Sequence, residues 1–230
     1  MLDFTLAKYK DLCLAMLDSG YTPLSVHSYL TDNKTAKNKT VVLRHDVDRK
    51  INSALKIAEL ENDLGVTSTY YFRYPYTFKP GIIENISRLG HETGYHYETL
   101  SKSNGDYAKA LALFINELEE MRKVCPVNTI CMHGCALSRH DNRDIWKIYD
   151  FRDFSIIGEA YLSFAQDVRY FTDTGRSWDS KHNIRDFMNG QNKGELINNT
   201  DNLIELIRSG GTSTLYTQLS HIKNSPKALI

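Results

Sequence analysis

The sequence predicts an α/β protein with a mostly parallel sheet, and three observations carry that expectation. Short apolar or β-branched runs alternate with helical stretches of roughly 10–18 residues, the signature of βαβ units. About six or seven such runs occur, which suits one α/β barrel, complete or incomplete, better than two domains. No Gly-, Ser- or Pro-rich linker divides the 230 residues, so one domain over 1–230 is expected.

The elements follow in order. MLDFTLAKYKDLCLAM is broken by Asp3, Lys8, Lys10 and Asp11 and reads as an amphipathic helix rather than an export signal. The polar stretch 32–40 is expected to be a loop opening into the strand Val41–Leu43. Ile51, Leu55 and Ala58 recur at helical spacing up to Gly65. Thr67–Phe72 is strand-like, Pro80–Leu89 a short helix closed by Gly90, and His91–His96 a short strand. Asp106 can cap a helix to about Lys123, with Ala108, Leu111, Ile115 and Leu118 on one stripe. Val127–Met132 is a strand, with weaker candidates at Phe154–Gly158 and Val168–Thr172. Thr200 is expected to cap a helix closed by Gly210-Gly211, before a last strand over Thr212–Leu219.

Composition excludes several classes. Lys+Arg and Asp+Glu are both 28, so a uniformly basic nucleic-acid binder is not expected. No run approaches the ~18 apolar residues of a membrane span. Four Cys without an export signal suggest free thiols in a reducing compartment, hence a cytoplasmic protein. Oligomeric state is not readable.

Several strand candidates end in metal-competent or acid–base groups, and strand C-termini form the active face of α/β barrels. Asp46 and Asp48 repel one another when ionised; a divalent cation relieves this and leaves one carboxylate as base. Equally, they are a surface pair capping the next helix. His96, flanked by Gly90 and Gly94, is the best imidazole candidate for a metal, against a core His bonded to a carbonyl. Glu98 is a ligand, a base or a solvated charge. His133 lies in Cys131-Met-His-Gly-Cys135, too tight for a zinc knuckle, and is expected on the active face with bystander cysteines. His221 is a general acid or a tail residue. Arg176 and Trp178, beside Gly175, face a ligand or, for Trp178, anchor the loop.

As a set, LRHDVD (43–48), LGVTSTYYFR (64–73), LGHETGYHYETL (89–100), TICMHG (129–134), DNRDIW (141–146) and TDTGRSWD (172–179) resemble the polysaccharide deacetylases of the NodB-like superfamily, carbohydrate esterase family four. The branch carrying His-Asp-Val-Asp, associated with capsule or O-antigen sugars, is the nearest in pattern. The resemblance implies a distorted (β/α)7 barrel and a metal-dependent hydrolase cleaving linear amide C–N bonds, removing an N-acetyl (or O-acetyl) group from a sugar or sugar-linked intermediate. It implies Asp46 as base and His221 as acid. It implies Asp48, His96 and His133 on a divalent metal, Zn2+ with Co2+ or Ni2+ as alternatives. Tyr97, Glu98, Arg176 and Trp178 would line the sugar cleft. Leu100 stands where the family has a second His, so His133 takes that role, with Glu98 as fallback. That departure and the altered C-terminus motivate a second reading, a non-catalytic sugar-binding or scaffold protein on the same barrel. A two-metal phosphoesterase ranks third, for want of ligands.

Overall fold

A computed structural model describes residues 3–32, 39–135, 138–164, 168–178, 197–210 and 214–219. In chain order the elements are α1 (Leu6–Asp18), β1 (Thr22–Leu24), α2 (Val26–Thr31), β2 (Thr40–Val47), α3 (Ile51–Asp63), β3 (Thr69–Phe72), α4 (Pro80–Arg88) and β4 (Glu92–Tyr97). They continue with α5 (Thr99–Lys102), α6 (Tyr107–Arg122), β5 (Thr129–Met132), β6 (Gly158–Glu159), β7 (Arg169–Thr172), α7 (Thr200–Ser209) and β8 (Thr214–Leu219). The strands form one sheet in the order β6-β5-β4-β3-β2-β8-β7, and every neighbouring pair is parallel.

The sheet curls. Arg44 on β2 and Tyr216 on β8 both reach the carbonyl of Ala160, just past β6 at the opposite end of the strand order. A flat sheet would hold β2 and β6 about four strand spacings apart, roughly 19 Å. The seven strands therefore wrap into an incomplete (β/α)7 barrel, and among the described residues no ladder joins β6 to β7. β1 lies outside this path. It pairs with Thr40–Val42 while β3 pairs with Arg44–Val47, so the two share one edge of β2.

Local chemistry explains most boundaries. Thr5 and Asp106 cap α1 and α6, their side chains accepting from the N–H groups of Lys8 and Lys109. Three expectations need correction. Phe154–Gly158 is no strand: Phe151–Phe154 is a 3-10 turn whose Asp150 side chain caps it, and only Gly158–Glu159 pairs. The cap of α7 is Asn199, one residue earlier than expected, because the Thr200 hydroxyl accepts instead from the Trp178 indole N–H at 3.1 Å. β2 runs through Arg44-His45-Asp46, which sequence polarity had suggested were beyond its end. β1 and α2 were not foreseen.

Gly94 supplies room rather than a special backbone angle. A Cβ there would sit 2.5–2.6 Å from the Tyr71 ring and 2.8 Å from the Thr129 carbonyl. The ring lies across the barrel interior at the level of Asp46, its register partner.

Candidate metal centre

Strand register builds the site. Asp46 is level with Tyr71 on β3, and Tyr71 with Gly94 on β4. Two residues further along each strand, the same level and face carry Asp48, Arg73, His96 and, by the β4–β5 register, Cys131. His133 follows Cys131 on that face, its N–H donating to the Tyr97 carbonyl at 2.7 Å. Four chain segments thus place carboxylate, imidazole and thiol side chains together at the strand C-termini.

Asp48 Oδ1 lies 3.5 Å from His96 Nε2 and 3.3 Å from His133 Nε2. These approaches are not aligned hydrogen bonds: Oδ1 is buried without a hydrogen-bond partner, although the Asp48 side chain as a whole is 37% exposed. A tetrahedral zinc site with bonds of about 2.0–2.1 Å sets its ligands about 3.3–3.4 Å apart. The spacing and the unsatisfied oxygen fit a divalent cation held by Asp48, His96 and His133.

The far side of each imidazole faces an acceptor. His96 Nδ1 is 3.0 Å from the Cys131 carbonyl, which can only accept, so Nδ1 carries the proton and Nε2 its lone pair. His133 Nδ1 faces Glu98 Oε2 at 3.1 Å, an ion-pair approach without an aligned hydrogen bond. Glu98 is itself gripped by Arg73, which reaches both its oxygens at 2.9 Å. Burial lowers the His133 pKa, but Asp48 and Glu98 outweigh it and push His133 up to about 9. Burial likewise works against the charged carboxylates, yet His133 and His96 hold Asp48 well below its usual range, and His133 and Arg73 bring Glu98 down to about 2.

Asp46 sits one level deeper, nearly buried. Arg44 reaches its two oxygens at 3.2 Å each, through Nε and one terminal nitrogen. The guanidinium is fully buried and also donates to the hydroxyls of Tyr161, Tyr170 and Tyr216. Cys131 Sγ lies 3.7 and 3.9 Å from the Asp46 oxygens.

Of the expected substrate residues, Glu98 lies at this mouth, while Tyr97 and Trp178 do not. Tyr97 points to the opposite face from His96, under α6, fully buried; it accepts from the Trp146 indole N–H at 2.8 Å and packs on Phe114. Trp178 is 2% exposed, tilted on Phe4 and bonded to Thr200, so it anchors the core. Glu98 is a support for His133, saturated by Arg73 rather than open to a sugar. Arg176 is exposed in the 3-10 turn Thr174–Arg176 after β7. Leu100 is packed in the core. His221 lies outside the described residues. Sequence reasoning missed Arg44 and Arg73 and treated Cys131 as a bystander. Strand alternation was the available signal, since Arg44 shares a face with Asp46, Cys131 with His133.

No known family profile matches the chain, and no curated protein matches it. Among solved structures, it is similar to a CE4 family pseudoenzyme from Bacillus anthracis, with 16% identity, a TM-score of 0.44, and 79% of this chain and 64% of that one covered. It therefore spans slightly less than two thirds of that protein. A family 4 carbohydrate esterase from Bacillus anthracis matches at 14% identity and a TM-score of 0.42, covering 90% and 88%. The catalytic domain of a peptidoglycan N-acetylglucosamine deacetylase from Eubacterium rectale matches at 15% and 0.45, covering 83% and 92%. These are similarities of chain course at low identity.

Proposed function

We propose that the protein is a metal-dependent carbohydrate deacetylase acting on an acetylated amino sugar or a sugar-linked intermediate. The observation that carries this reading is the convergence of Asp48, His96 and His133 around one unsatisfied oxygen, with the carboxylate Asp46 beside them. A divalent cation bound there supplies positive charge that polarises water and an acyl oxygen. Asp46, pinned by Arg44, takes the proton from the attacking water. The water oxygen bonds to the acetyl carbon, the C–N bond breaks, and the nitrogen leaves as an amine after gaining a proton. His221 is the proposed donor; β8 ends at Leu219, opposite His45, two residues before it in sequence. Arg73 and Glu98 hold His133 in place. Arg176 is kept as a proposed sugar contact.

Acetate release from a panel of N- and O-acetylated amino sugars tests this, using the full chain loaded with Zn2+, Co2+ or Ni2+. Asp46→Asn should lower turnover about 10²–10⁴-fold while metal stays bound. No acetate from any sugar, or an Asp46→Asn enzyme as fast as wild type, overturns the assignment. Leu100 at the position of the family's second His favours a non-catalytic sugar-binding barrel. Metal bound without acetate release would support that alternative.

A further inference from the structure

Cys131 is fully buried and faces the barrel interior beside Asp46. One ligand atom each from Asp46, His96 and Cys131 lies within 4.8 Å of the others, and all three residues are buried. The imidazole is already oriented for coordination, because its Nδ1 is occupied by the Cys131 carbonyl and Nε2 is left open. Asp48, His96 and His133 form a similarly tight trio, in which only His96 is fully buried. The two trios share His96, so a cation in one competes with a cation in the other.

We propose that Asp46, His96 and Cys131 form a second, deeper metal position that takes thiophilic divalent ions, Cd2+ above all. A thiolate selects soft ions, whereas the carboxylate–imidazole set of Asp48, His96 and His133 accepts borderline and harder ones. Binding replaces the S–H proton with the ion, and the proton leaves to solvent. None of this rests on the deacetylase reading.

The test is a Cd2+ titration of the reduced, metal-free full chain, followed by the ultraviolet thiolate-to-cadmium charge-transfer band. One equivalent should develop the band. Cys131→Ser should lose it, while Cys135→Ser and His133→Ala keep it. Because His133→Ala dismantles the Asp48–His96–His133 trio, its retained band separates this position from that one. Cadmium-113 NMR of the wild-type protein guards against a misfolded variant, with a shift expected for one sulfur ligand. A wild-type protein without the band, a band that survives Cys131→Ser, a band lost with Cys135→Ser, or a shift with no sulfur would each overturn the proposal.

Discussion

The two faces of β2 each carry a carboxylate with two histidines, and the two trios are finished differently. On the interior face are Asp48, His96 and His133. On the helix-facing side, Glu61 of α3 meets His45 and His91. Glu61 is fully buried and saturated: one oxygen accepts from Tyr9 and lies 2.7 Å from His45 Nε2. The other accepts from Ser68 and Tyr70, each at 2.6 Å. His91 is fixed by Ser68 and the Ala58 carbonyl at 3.2 and 2.9 Å. The outer group is closed by protons, as a structural network must be when desolvated. In the inner group Asp48 Oδ1 faces both imidazoles without an aligned hydrogen bond to either. Residue type does not separate a metal centre from a core network. The state of each oxygen does.

In a Cys131→Ser background, which removes the deeper thiolate, Asp48→Ala should break the inner trio outright, abolishing stoichiometric metal binding and turnover together while leaving the metal-free protein folded. Elemental analysis and acetate release check this, and a variant that still holds one ion removes the contrast. Glu61→Ala should do the reverse. Removing one partner from a buried ionic network costs about 3–5 kcal/mol, read as a lower midpoint in urea, with metal stoichiometry kept in the folded fraction. Glu98→Gln tests the support beneath the inner trio. It should weaken metal binding about 10–100-fold with little change in stability, measured by competition with a chromophoric chelator.

A smaller and sharper contrast lies in acid. Burial keeps His91 below the ordinary histidine value of 6.5 despite Glu61, so stability declines as pH falls below that value and the unfolded chain takes up the proton. Burial opposes the Glu61 carboxylate, but His45, His91 and Ser68 bring it down to about 2 from 4.5. Its contribution is complete above about 4.5 and is lost as pH falls towards 2. Both groups act in the same direction. Thermal midpoints followed from neutral pH into acid should fall for the wild type and fall less steeply for Glu61→Gln. Parallel curves would refute the role given to Glu61.

Much of this was legible in the sequence. Apolar runs and capping residues located most strands and helices, and the polar groups closing those strands included Asp46, Asp48, His96 and His133. What could not be read was what covers each face. Tyr97 directly follows His96 on a strand, so alternation alone sends the two to opposite sides, yet the family resemblance drew both to one cleft. Trp178 is claimed by Phe4, and Arg44 by three tyrosines, across more than a hundred residues of chain in each case. Such partners are set by the closing of the sheet, which local periodicity does not encode.

Arg44 gives that closing a chemical consequence. Where, among the described residues, no backbone ladder stitches β6 to β7, one guanidinium rivets β2 to Tyr161 beyond β6, Tyr170 on β7 and Tyr216 on β8. The same group grips the carboxylate proposed to be the base. Any loosening of the seam is therefore transmitted to Asp46 through a single side chain, and tyrosines far from the cation become levers on reactivity.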